Sequence, residues 1–181
     1  IEHAVGQGEA TRQRFLLDGE SSIQYIGADL EDAAIDKAIE QQEMELLPQN
    51  MKFIRGADIG NPQKVIGFLE ENGLYLKPSV MMVGNGFHEI RQQTNEKMVK
   101  VFQKYQDAGL VLVFTEESAL NDEDLLHTAW NTYHSGFRYV HQISGQGLRP
   151  AIDRGHKSDL WSWRKCIKEG GYLLLEDYSY R

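Results

Sequence analysis

The chain opens Ile1-Glu2-His3-Ala4-Val5-Gly6-Gln7-Gly8-Glu9-Ala10, an apolar run that breaks into two closely spaced glycines and then into helix-forming sequence. Glycines at such a point let the backbone turn sharply and leave room for a ligand. The helix beyond them presents N–H groups without intrahelical partners. Residues 1–5 read as a short strand and 10–17 as a helix, stopped by Asp18-Gly19. Everything downstream reads as a scaffold for what this turn holds.

The same pattern recurs along the chain. Residues 23–26 form a second expected strand ending in Gly27-Ala28-Asp29-Leu30, and Glu31-Asp32 start a helix with Ala34, Ile35, Ala38 and Ile39 on one face. Asp29 thus lies about 20 positions beyond the glycines, where a carboxylate accepts hydrogen bonds from a ribose. A third strand, 51–54, runs into Gly56-Ala57-Asp58-Ile59, and Pro62 opens a helix that ends at Asn72-Gly73. The apolar runs 79–83 and 110–115 read as strands buried on both faces, with a helix over 95–107 between them. Strand and helix in alternation, joined by short loops, predict an open, doubly wound, mostly parallel α/β sheet. Ligands in such sheets sit outside the carboxyl ends of the strands. Topology therefore places Gly6 to Gly8, Asp29, Asp58, Asn85 to His88 and Glu116-Glu117 along one rim.

Beyond residue 119 the alternation lapses. A long helix is expected over 122–143, a loop around Gly145, Gly147 and Pro150, a helix over 159–168 and a last strand over 172–175. The 181 residues fit one domain, with 119–157 a helical insert on the substrate side. A net charge of −8 disfavours general affinity for nucleic acid or anionic lipid. Arg149, Arg154, His156 and Lys157 make one modest basic cluster, read as a solvated loop. The single cysteine, Cys166, has no internal disulfide partner and reads as a small buried hydrophobe in a reducing compartment. No apolar run reaches the about 18 residues of a membrane span and no signal peptide is visible. A cytoplasmic location is expected, in a chain whose opening inside a strand without Met suggests truncation at the N-terminus.

This order of parts resembles the class I S-adenosylmethionine-dependent methyltransferases over nearly the whole chain. Gly6-Gln7-Gly8-Glu9-Ala10 looks like their glycine-rich first motif, with Ala10 at the usual third glycine. Gly27 to Ile35 looks like their second strand and acidic ribose motif, and Gly56-Ala57-Asp58-Ile59 like their adenine-side motif. Gly84-Asn85-Gly86-Phe87-His88 occupies the position where the family lines the methionine end and the acceptor site. The resemblance implies a Rossmann-like methyltransferase fold, with S-adenosylmethionine held by Gly6, Gln7, Gly8, Asp29, Leu30, Asp58, Ile59 and Asn85. It departs at Ala4, where the family commonly carries an acid two positions before the first glycine, and in a sheet that stops short of seven strands.

A sulfonium is already a strong methyl donor, so catalysis by positioning suffices. For an acceptor that must lose a proton, His88 is the best-placed general base, with Glu89 orienting it or pairing with Arg91. His127, His134 and His141 recur every seven residues, and Trp130 and Phe137 lie near the same stripe. Successive histidines would lie about 10 Å apart along one helix, too far to share an ion, so no metal site is expected. Tyr133, His134 and Arg138 are the expected contacts to a small-molecule substrate. Two other readings stay open: an NAD(P)-dependent oxidoreductase, whose fuller glycine pattern would want glycine where Thr11 stands, and an inactive cofactor-binding or interaction module.

Overall fold

The computed structural model describes residues 1–18, 23–120, 122–127, 131–153 and 159–179. By internal packing the chain divides into two compact units, Ile1–Gly86 with Ala108–Thr115, and Phe87–Asp107 with Glu116–Arg181.

The first unit holds five strands, β1 (Glu2–His3), β2 (Ile26–Asp29), β3 (Lys52–Arg55), β4 (Ser79–Gly84) and β5 (Leu110–Thr115). Its helices are α1 (Glu9–Asp18), α2 (Asp32–Glu43) and α3 (Gln63–Glu71). All strand pairs are parallel, in the order β3-β2-β1-β4-β5. This is an α/β, doubly wound, Rossmann-like arrangement, and its strand order reverses between β1 and β4. The apolar face of α2 explains its place, since Ile35 and Ala38 are buried in a cluster with Val5, Tyr25, Leu47 and Met51. α3 buries Val65, Ile66 and Leu69 after Pro62 and ends at Asn72, followed by Gly73 with φ 65°.

Several boundaries differ from the sequence reading. β1 stops at His3 because Ala4 turns left-handed, φ 55°, although Val5 N–H still reaches Ala28 O at 3.1 Å. β2 starts three residues later than expected, at Ile26, and Asp29 closes it as expected. A Cβ on Gly27 would lie only 2.9 Å from Met51 and 3.1 Å from Val5, so the strand is crowded at its second residue and glycine fits there. β4 and β5 are not buried on both faces. Their register sets Val80 beside Val111 and Met82 beside Val113, and all four are exposed on one side.

The second unit contains α4 (Asn95–Asp107), α5 (Asp122–His127), α6 (Asn131–Ser144) and α7 (Trp163–Glu169). α4 buries Met98, Val101, Phe102 and Tyr105 at the predicted helical spacing and packs on α7. Where one helix over 122–143 was expected, α5 and α6 flank residues 128–130, which with Trp130 lie outside the described residues. Arg154, His156 and Lys157 lie outside them too. α7 begins at Trp163, not 159, because Ser162 caps it by accepting the N–H of Lys165 at 3.1 Å. The strand expected over 172–175 does not form. Leu173 is 92% exposed there, and a 3-10 turn, Glu176–Tyr178, follows. Among the described residues no helix is long and apolar enough to cross a membrane.

Candidate functional site

In the first unit the expected cofactor residues converge at the carboxyl ends of the strands. Gly6 and Gly8 take positive φ, 51° and 78°, and a Cβ on Gly8 would meet Leu47 at 2.8 Å. The turn thus needs glycine at Gly8 for both conformation and space. Asp29 ties the turn down: its Oδ2 accepts from Gly6 N–H at 3.1 Å, and its Oδ1 from Glu31 N–H at 3.0 Å. Its carbonyl accepts from Ala57 N–H at 2.7 Å, which draws in the loop after β3. There Asp58 Oδ1 accepts from Gly60 N–H at 2.7 Å, while Ile59 is buried. Gly86 closes the cluster, since a Cβ on it would come within 3.3 Å of Ile59 and 3.4 Å of Ala4. Asn85, φ 54°, and Gln7 are exposed, and Leu30 is 56% exposed, an apolar side chain bare beside a carboxylate.

Two residues here went unread in the sequence. Glu2 accepts from the N–H groups of Ala10 and Thr11, at 3.2 and 2.8 Å, and so neutralises the N-terminus of α1. His3, the next residue on the strand, is buried, its Nδ1 accepting from Ala4 N–H at 2.9 Å. The tautomer is then Nε2–H, and this buried donor has no hydrogen-bond partner among the described residues. Burial pushes the imidazole down to about 4, against the opposing pull of Asp29 and Asp58. Period-two alternation along β1 was the available signal, because it sets Glu2 and His3 on opposite faces.

The second unit holds His88, in a 3-10 turn, Phe87–Glu89. Glu116, not Glu89, orients it: the nearly buried carboxylate lies 2.8 Å from His88 Nδ1 and accepts from the backbone N–H of Phe87 and of His88. Burial alone would lower the His88 pKa. The hydrogen bond and charge of Glu116, with the charges of Glu89 and Glu117, outweigh it and raise the pKa above the ordinary histidine value.

α6 brings a second histidine alongside. His141 lies with its ring centroid 5.1 Å from that of His88 and 3.9 Å from that of Phe137. Of the expected substrate contacts, Tyr133 and Arg138 are exposed, while His134 is half-buried and edge-on to Tyr133 at 5.4 Å. Arg149 corrects the reading of a solvated basic loop. It is 0% exposed and donates to Gln93, Asn95, Thr94 O, Trp161 O and Cys166 Sγ. The Cys166 thiol is buried as expected, and burial raises its pKa. Among the described residues no group of three or more His, Cys, Asp or Glu side chains is arranged to hold a metal ion.

No family model matches the chain, and no curated protein matches it.

Proposed function

We propose that the first unit binds S-adenosylmethionine and that the protein transfers its methyl group to a small-molecule acceptor by in-line displacement. The observation that carries the reading is the bridge from Asp29 to the glycine turn. A carboxylate at the end of β2, fixed beside the left-handed glycines that follow β1, the strand from which the order reverses to β4, suits the ribose of an adenosine. Glu2 separates this reading from the dinucleotide one. A pyrophosphate needs the free N–H groups of the helix that follows the turn, and Glu2 already occupies those of Ala10 and Thr11 with negative charge. A cationic sulfonium suits the same acidic surroundings, to which Asp29 and Asp58 add. Gly6, Gln7, Gly8, Asp29, Leu30, Asp58, Ile59 and Asn85 are the proposed cofactor contacts. His88, held by Glu116, is the proposed acid–base residue.

Calorimetric titration of S-adenosylmethionine and, separately, NAD tests this. Binding of the former, weakened at least tenfold by Asp29→Ala, is expected. NAD binding in its place, or silence toward both from folded protein, overturns it.

A further inference from the structure

We infer that His88 and His141 together bind the hydroxyl group of an aromatic ring, so that the acceptor handled by the second unit is a phenol. The two imidazoles come from different elements, the turn after β4 and the last part of α6. The chain segments that carry them are joined by Gln92 N–H to Gly145 O at 2.8 Å and Gly147 N–H to His88 O at 3.0 Å. On both rings Nδ1 is committed. His88 Nδ1 is 2.8 Å from the Glu116 carboxylate and His141 Nδ1 is 2.8 Å from Phe137 O. Each of those oxygens only accepts, so Nδ1 carries the hydrogen on both rings and the free chemistry is left at Nε2.

His141 Nε2 is buried and has no hydrogen-bond partner among the described residues. In a neutral ring it is a bare lone pair, 5% of the residue being exposed. His88 complements it. Glu116, Glu89 and Glu117 favour its charged form, in which Nε2 also carries a hydrogen. One acceptor and one donor, on rings 5.1 Å apart, match a group that is itself both donor and acceptor, which a hydroxyl is. Its proton passes to His141 Nε2 and the resulting oxyanion keeps the hydrogen bond from His88 Nε2–H; no bond to carbon changes in this step.

The preference for an aromatic ring comes from α6. Tyr133, Phe137 and His141 recur every four residues on one side of the helix. Tyr133 and Phe137 stack at 5.8 Å with planes 21° apart, and Phe137 meets His141 at 3.9 Å. The row runs from an exposed tyrosine through a half-buried phenylalanine to the buried histidine, a π-faced wall that suits a planar ligand.

The inference names the acceptor class for the methyl transfer proposed above and rests on that reading only for what later becomes of the oxygen. 4-Nitrophenol is the probe, because its ionised form absorbs at longer wavelength than the phenol. Full-length protein should bind it and shift its ionisation to lower pH, whether or not S-adenosylmethionine is present. His141→Gln and His88→Gln should each weaken binding at least tenfold and abolish the shift, while 4-nitroanisole, which lacks the hydroxyl, should not compete. Should either variant misfold, the wild-type His141 Nε2 resonance in nitrogen NMR serves instead, and it should move on adding 4-nitrophenol. Equal binding of 4-nitroanisole, undiminished binding by folded variants, an unmoved Nε2 resonance, or binding that occurs only with added Zn2+ overturns the inference. Phenol binding without any S-adenosylmethionine binding would support it and remove only the methyl donor.

Discussion

The Asp29 carboxylate accepts the N–H of Gly6 at 3.1 Å, linking two chain segments 23 residues apart in sequence. Through its other oxygen it holds Glu31 N–H, and its carbonyl holds Ala57 N–H. One residue at the end of β2 thereby sets the glycine turn, the start of α2 and the loop after β3. A ligand meeting Asp29 meets a surface whose geometry is already fixed, which lowers the ordering cost of binding.

Replacing Asp29 separates these roles. Asp29→Ala removes the acceptor for Gly6 and Glu31, so a stability loss of about 1–2 kcal/mol is expected in urea denaturation. Asp29→Asn keeps one acceptor oxygen and should recover part of that stability while still weakening S-adenosylmethionine by about tenfold. If Asn restored both fully, the carboxylate charge would have no part in the site.

His3 gives the first unit a defined acid sensitivity. Its pKa falls from about 6.5 in an unfolded chain to about 4 in the fold. Between those values the unfolded chain takes a proton that the folded one refuses. Stability is therefore fully present above the upper value and declines as pH drops toward the lower one, by on the order of 3 kcal/mol. Urea midpoints followed by circular dichroism from pH 7 to pH 4 should show this slope, and His3→Gln should flatten it. An unchanged slope in the variant would assign the acid sensitivity elsewhere.

The architecture was legible where spacing carries the information. α2, α3 and α4 bury the residues that helical periodicity selects, and the loops holding Gly6, Asp29 and Asp58 follow their strands in the expected order. Strand faces were less legible. An apolar run such as β5 states that a strand forms but not what covers it, and Val111 and Val113 are exposed. Long-range partners were not legible at all. That Glu116 rather than Glu89 orients His88, that His141 joins them, and that Arg149 is buried depend on how distant segments meet, which no local pattern encodes.

His88 should leave the opposite pH signature to His3. Its pKa is raised in the fold, so the stability it draws from Glu116 is complete below the ordinary histidine value. It is lost as pH rises through the folded value. His88→Gln should remove that alkaline-side decline while sparing the acid-side slope of His3. His88 donates from Nε2 only while it is protonated, so methyl transfer to a phenol should fall as pH rises through the raised folded value of His88. A rate that keeps rising with pH through that range would exclude His88 from the donor role.

Arg149 bears on the second unit most directly. Its guanidinium donates at 2.7 Å to Gln93 Oε1 and at 2.9 Å to Asn95 Oδ1, and it reaches Thr94 O and Trp161 O at 3.0 Å. It lies 5.8 Å from the Trp163 ring. Asn95 Oδ1 also accepts from Trp161 N–H at 2.8 Å, so the arginine joins the start of α4 to the segment leading into α7. No carboxylate is hydrogen-bonded to it among the described residues, so its desolvation is offset by neutral acceptors on partly buried and exposed groups around it. Arg149→Met fills much of the volume but strands those acceptors, and a loss of about 3 kcal/mol is expected. Arg149→Lys restores the charge without the planar fork and should recover less than half of it. The flanking Trp161 and Trp163 make tryptophan fluorescence the readout for urea unfolding, and a change below about 0.5 kcal/mol for Arg149→Met would mean that the network adds no net stability.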